Sequence, residues 1–150
     1  MAGANGRILQ PLAQFFSSQL INTEWLQPGG AVHEIYSAGS DIRDSVGHMV
    51  VTAYAVKRPD QQWALLIVNK DQENSYRVKV NFRNDQTGGD ASFAGSVDTF
   101  TFGSTQYKWD PLRKTAHPDG PVLKSSTQSD APVDVPAATI VVLRGKVAYR

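Results

Sequence analysis

The chain has 150 residues, 41% hydrophobic and 19% charged, with 12 Gly, 8 Pro and no Cys. That suits one domain with a sizeable core, and it excludes disulfides, thiolate metal sites and cysteine nucleophiles. Fifteen basic and 14 acidic side chains leave a net charge of +1 with no basic cluster, which argues against a nucleic-acid partner, and no apolar run approaches the roughly 20 residues of a membrane span.

The opening "MAGANGRILQ" lacks the apolar stretch of a signal peptide, as a piece cut from a longer secreted protein also would. The next segment is helical in pattern. Leu12, Phe15, Phe16, Leu20 and Ile21 recur near helical spacing, Pro11 sits where a first turn tolerates proline, and "QPGG" ends the run. A helix is expected over 11–26.

After Gly30 the period changes to two. Strands are expected over 32–36, 48–58 and 63–71, the last apolar enough for a central strand with both faces covered. "SYRVKVNF" alternates Tyr76, Val78, Val80 and Phe82 with Arg77, Lys79 and Asn81, so it reads as a half-buried strand. "NKDQEN" reads as the hairpin loop between it and the central strand, and "RNDQTGGDAS" as a flexible connection. Further strands are expected over 93–102 and 105–109. Residues 110–136 hold five of the eight prolines and few apolar residues, so they read as one long surface loop. "ATIVVLRGKVAY" reads as a closing strand pair around an Arg144-Gly145 turn. Six to eight short strands and one helix imply a mainly β fold, an antiparallel β-sandwich with one N-terminal α-helix.

Catalytic constellations are sparse. Glycoside hydrolysis usually needs two carboxylates across the scissile bond. The three glutamates, Glu24, Glu34 and Glu73, fall on a helix end, a short strand and a loop. His33, His48 and His117 show no metal-ligand spacing, although His33 or His48 beside an Asp is the pairing a small glycosidase-like enzyme would use. "GSDIRD" places Asp41 and Asp44 among turn residues, where a structural calcium is the alternative to a plain turn or an Arg43 ion pair. No other cofactor is implied.

The aromatic residues are more suggestive. Phe100 and Phe102 alternate with threonines and read as core. "STQYKWDP" alternates Tyr107 and Trp109 with Gln106, Lys108 and Asp110. Flat rings beside amides and a carboxylate suit a sugar, whose C–H faces stack and whose hydroxyls seek polar partners. Tyr107, Trp109, Gln106 and Asp110 are therefore the candidate carbohydrate-binding residues, with core packing as the plainer reading of the two rings.

Three segments together resemble the C-terminal β-sandwich of TIM-barrel glycoside hydrolases. "GRILQPLAQFFSSQLINTEWLQPGGAVHEIY" is similar to the junction where the last barrel helix enters the sandwich. "VVTAYAVKRPDQQWALLIVNKDQENSYRVKVNF" resembles its central hairpin, and "PAATIVVLRGK" its closing strand. The resemblance implies a helical segment over 1–30 and a sandwich over 31–150. It implies a non-catalytic accessory domain of a secreted bacterial carbohydrate-active enzyme, with the catalytic barrel as partner and polysaccharide as a further one. No catalytic residue is carried onto this chain. A purely structural domain, packed on its barrel or on a second copy, is the alternative. A helix separated from its barrel would expose Phe15, Phe16 and Leu20 and favour self-association.

Overall fold

A computed structural model describes residues 11–110, 112, 115–118, 122–129 and 131–149. Helix α1 spans Ala13–Leu20 and continues as a π-helical turn, Ile21–Trp25. Asn22 Nδ2 and Thr23 Oγ1 donate to the carbonyls of Ser18 and Gln19, four residues back. Such side-chain bonds compete with the regular backbone ladder, and the last turn widens. The helix thus lies within the expected 11–26. None in the described residues is long and apolar enough to cross a membrane.

The strands are β1 (Glu34–Tyr36), β2 (Val51–Lys57), β3 (Trp63–Asn69), β4 (Tyr76–Val78), β5 (Phe82–Arg83) and β6 (Asp90–Gly103). They continue with β7 (Tyr107–Asp110), β8 (Thr115–Pro118), β9 (Leu123–Gln128), β10 (Val133–Val135) and β11 (Thr139–Tyr149). Seven form one antiparallel sheet in the order β1-β2-β3-β11-β6-β5, with β9 also paired to β6. Strands β4 and β10 form a two-stranded ribbon, and so do β7 and β8.

Each face of the large sheet is closed by a different element. The β4–β10 ribbon brings Val133 and Val135 onto Val51, Leu65, Ile67, Phe93, Val141 and Leu143. Helix α1 brings Phe16 and Leu20 onto Leu66, Phe100, Phe102 and Val142. Strand β3 supplies both cores, because consecutive residues point to opposite faces. Leu65 and Ile67 serve one side and Leu66 the other. The fold is the expected antiparallel, sandwich-like arrangement with one N-terminal helix. Its second layer is only a ribbon.

Several connections differ from expectation. "NKDQEN" does not join two paired strands: β4 pairs with β10, so the loop carries the chain from one layer to the other. Buried Asn69 fixes that crossing by donating Nδ2 to the carbonyls of Asn74 (2.9 Å), Val135 (3.2 Å) and Pro136 (2.8 Å). The run 75–82 accordingly splits into β4 and β5, which belong to different sheets, while Tyr76, Val78, Val80 and Phe82 still face inward. Residues 84–89, within the expected flexible connection, form a hydrogen-bonded turn. Asn84 Oδ1 accepts from the amides of Gln86 and Thr87, and Gly88 takes a positive φ of 69°.

The expected long loop contains β8, β9 and β10. Strand β9, with sequence LKSSTQ, is an exposed edge strand and carries no apolar alternation to betray it. The closing segment is one strand of 11 residues, without a turn at Arg144-Gly145. Gly145 sits at a bulge where the β11–β6 register shifts, and a Cβ there would lie 3.1 Å from Phe93 Cδ1. The glycine serves close packing.

Candidate functional site

The four candidate sugar-binding residues lie on the turn from β6 to β7 and on β7 itself. Gln106 is occupied by the turn: its Oε1 accepts the Gly103 backbone N–H at 3.0 Å, and its backbone N–H donates to the Gly103 carbonyl at 2.9 Å. Tyr107 is half-buried, its ring 6.3 Å from that of Phe102, which in turn packs 5.4 Å from Phe16. It lines an open groove of about 390 Å³ between α1 and the start of β11, with Phe102, Ser17 and Ile140. The backbones of Trp109 and Asp110 pair with Ala116 and Thr115, and their side chains fall outside the described part of the structure. Phe100 and Phe102 are core, as expected.

Most described carboxylates are held by partners. Glu24, expected at a free helix end, accepts from Arg144 Nη1 at 2.7 Å, and Arg144 Nη2 also reaches Asp98 at 3.0 Å. Glu34 accepts the Tyr36 hydroxyl at 2.6 Å and pairs with Lys57 at 3.4 Å. Those two contacts, the hydroxyl foremost, lower its pKa. Burial pushes Asp60 up, but its bonds from Arg58 and the Gln62 amide outweigh this and leave it lowered. Asp71 accepts from the Glu73 and Asn74 amides, Asn74 Nδ2 and the Tyr76 hydroxyl, and sits well below the usual aspartate range. A glycosidase general acid requires the opposite, a carboxyl whose pKa is raised. Among the described residues every resolved carboxylate shift is downward.

His33 Nε2 accepts the Gln27 amide at 2.8 Å and thereby fixes the chain leaving the helix. His48 does meet an aspartate: its Nδ1 lies 3.1 Å from Asp44 Oδ2 on an exposed turn. Asp44 Oδ1 accepts the amides of Val46 and His48, so both oxygens are engaged within that turn. Burial raises the Asp44 pKa, and these bonds more than reverse it. Among the described residues Arg43 pairs with no carboxylate; its Nη1 donates to the Gly47 carbonyl at 3.0 Å. No three His, Cys, Asp or Glu side chains gather as a metal site among the described residues.

The helix-side face shows what sequence reasoning missed. Helix α1 does not expose its apolar face: Phe16 and Leu20 are buried on this chain's own sheet, and of the three residues expected to be open only Phe15 remains so, 53% exposed. One row crosses the sheet as Phe100, Val142, Leu66 and Tyr54, on β6, β11, β3 and β2. The first three are core under the helix; Tyr54 is 51% exposed. The adjacent row ends in Val56 and Ile35, the latter on edge strand β1 and 81% exposed. The helix cover stops at Trp25, whose Nε1 donates to the Tyr54 carbonyl at 3.3 Å. Arg58, itself buried, locks that end by donating Nη1 to the carbonyls of Glu24 (2.6 Å) and Leu26 (2.8 Å). Ile35 and Tyr54 thus form an uncovered apolar end of this face, away from the groove beside Tyr107. "VHEIY" alternates, which marks a strand, but alternation does not say which face lacks a cover.

No family model matches the chain, and no curated protein matches it. Solved structures do. The thermostable GH51 α-L-arabinofuranosidase from Thermotoga petrophila RKU-1 matches with a TM-score of 0.41 and 13% identity, over 65% of this chain and 19% of that one. The GH51 arabinofuranosidase from Xanthomonas axonopodis pv. citri matches with a TM-score of 0.42 and 20% identity, over 75% and 21%. A further arabinofuranosidase gives 0.38 and 12%, over 67% and 20%. This chain spans about a fifth of the length of each, so the similarity is to a part of these glycoside hydrolases.

Proposed function

We propose that the chain is a non-catalytic accessory β-sandwich domain of a secreted carbohydrate-active enzyme, seated on a catalytic barrel through the uncovered end of its helix-side face. The observation that carries the docking is the exposure of Ile35 and Tyr54 at the edge of the face whose centre α1 covers. Apolar groups left open in continuity with a core mark an interface. The three sequence segments described above support the class of partner and, because they carry no catalytic residue, the non-catalytic role. In this reading residues 1–30 lead out of the barrel and 31–150 form the accessory domain.

The test adds the purified chain to glycoside-hydrolase barrels shorn of their own C-terminal sandwiches. A matched barrel is expected to gain thermal stability, and Ile35→Asp with Tyr54→Ser to abolish the gain. Failure with every barrel, or turnover of chromogenic glycosides by the chain alone that His48→Ala removes, would overturn the reading.

A second reading, polysaccharide held on Tyr107, Trp109, Gln106 and Asp110, draws support from the β7–β8 ribbon, which is hydrogen-bonded into neither other sheet. Affinity electrophoresis through soluble polysaccharides tests it: retardation lost in Trp109→Ala supports it, and free migration in every gel sinks it.

A further inference from the structure

A second concavity lies on the opposite side of the molecule. It opens where the chain passes from β4 to β5, between the start of β6 and the end of β9, and encloses about 190 Å³. Lys79, Asn81, Asp90 and Gln128 line it. Among the described residues the side chains of these four make no hydrogen bond and no ion pair. The floor is apolar, with buried Phe93, Val97 and Leu143. Thr127 also lines it, and its Oγ1 is buried without a hydrogen-bond partner.

We propose that this cleft binds a single neutral sugar ring. Its size is the first reason: about 190 Å³ falls below the roughly 300–1,000 Å³ of sites for drug-sized ligands, so one ring fits and an extended chain does not. Its polar groups are the second. Asn81 and Gln128 each donate and accept, Asp90 accepts and Lys79 donates. Vicinal hydroxyls, which both donate and accept, match that set. Charge is the third reason: Lys79 and Asp90 cancel, so an anion meets the carboxylate and a cation meets the ammonium. The Phe93–Val97–Leu143 floor supplies an apolar patch for the ring's C–H face. The cleft is separate from Ile35 and Tyr54 and from the β7–β8 ribbon, so its failure leaves the docking proposal standing.

The test is an amide NMR titration of the full chain with D-xylose, L-arabinose, D-glucose and D-galactose. At least one is expected to shift the amides of residues 79–81, 90–93 and 127–129 saturably, with a Kd on the order of 1 mM. Asn81→Leu and Gln128→Leu, at exposed positions, are expected to weaken binding about tenfold or more, and the near-isosteric Thr127→Val, whose lost hydroxyl is buried, to leave it unchanged. Intermolecular NOEs from sugar C–H groups to the Val97 and Leu143 methyls give a readout that needs no variant. Methyl glycosides separate the two sources of such a ring: equal binding assigns the cleft to a chain end, and binding of the reducing sugar alone to a free monosaccharide. No saturable shift with any of the four sugars, shifts confined to 106–110, or no NOE to either floor residue would overturn the proposal.

Discussion

The two faces of the large sheet are closed in contrasting ways. The ribbon side is covered by strands drawn from the middle and the end of the chain, β4 and β10, whose apolar side chains and the neutral Asn69 amide do most of the joining. Asn69 alone ties three carbonyls across the layers. Tyr36, Trp63, Phe82 and Phe93 form a continuous run of rings there, with centroids 4.6, 5.3 and 5.0 Å apart. The helix side is sealed by one N-terminal segment and is held by charge. Arg58 grips the helix end, while Arg144 bridges Glu24 and Asp98 with its guanidinium 5.0 Å above the Phe100 ring. A single helix is narrower than the sheet it covers, so this side keeps an open end. The difference is one of cover: α1 stops short of Ile35 and Tyr54 on one side, while the ribbon buries Val133 and Val135 on the other.

The sharpest way to break this comparison is to hollow out each side in turn. Leu20→Ala on the helix side and Leu143→Ala on the ribbon side each remove a side chain that is about 1% exposed, and each is expected to cost about 2–5 kcal/mol in urea unfolding. Their local signatures should differ. Leu20→Ala is expected to speed amide exchange in 13–25 while β4 and β10 stay protected, and Leu143→Ala to loosen the ribbon. Equal loosening of both layers by either variant would show that the faces are not separate units. Next in size is Arg58→Ala, which leaves the Glu24 and Leu26 carbonyls without their donor. The expected loss is about 1.5–3 kcal/mol, with the fluorescence of Trp25 reporting release of the helix end. Unchanged fluorescence would remove Arg58 from that role.

These same residues show what the sequence made legible. The helix, β2, β3 and the inward alternation of Tyr76, Val78, Val80 and Phe82 follow from local apolar period, and so they were readable. Pairing was not. The Asn69–Asn74 segment has the composition of a hairpin loop, and its role as a crossing between layers depends on Val135 and Pro136, more than 60 residues away. Strand β9 was hidden because an exposed edge strand needs no apolar face, and Gly145 imitated a turn because bulges and turns favour the same residue. Of the candidate site, the expected strand over 105–109 appears as Tyr107–Asp110, while Gln106 belongs to the preceding turn and the core half-covers Tyr107. Glu24 was unreadable as an ion pair because its partner Arg144 lies 120 residues away. Exposure of Ile35 and Tyr54 is a property of the helix's width, which no local pattern encodes.

The crossing between layers can be sharpened by acid. Asp71 accepts four hydrogen bonds as a carboxylate, and its folded pKa lies below its unfolded one. Its stabilising contribution is therefore complete above the unfolded pKa of about 3.9 and is lost progressively as pH falls below it. Asp71→Asn lacks the second acceptor oxygen and does not titrate. Wild-type urea midpoints are expected to fall more steeply below pH 4 than those of the variant, while Glu34, Asp44 and Asp60 contribute alike to both. Parallel curves would mean that the Asp71 bonds persist in the unfolded chain or do not matter to folding.

The smallest expected effect on stability is the most informative about function. Ile35→Ser with Tyr54→Ser alters two side chains that are more than half exposed, so the free domain should change by no more than about 0.5 kcal/mol. If these residues served the fold, the cost would instead approach that of a core truncation. If they serve an interface, the variant stays as stable as the wild type and loses what exposed apolar surface confers: binding of a hydrophobic dye, concentration-dependent light scattering and the stabilisation of a matched barrel. A wild type that is strictly monomeric, yet stabilises a barrel only with Ile35 and Tyr54 intact, would place the partner on the helix side and exclude a second copy of the chain from that role. A variant as unstable as Leu20→Ala would make this edge part of the core and return the two faces to equivalence.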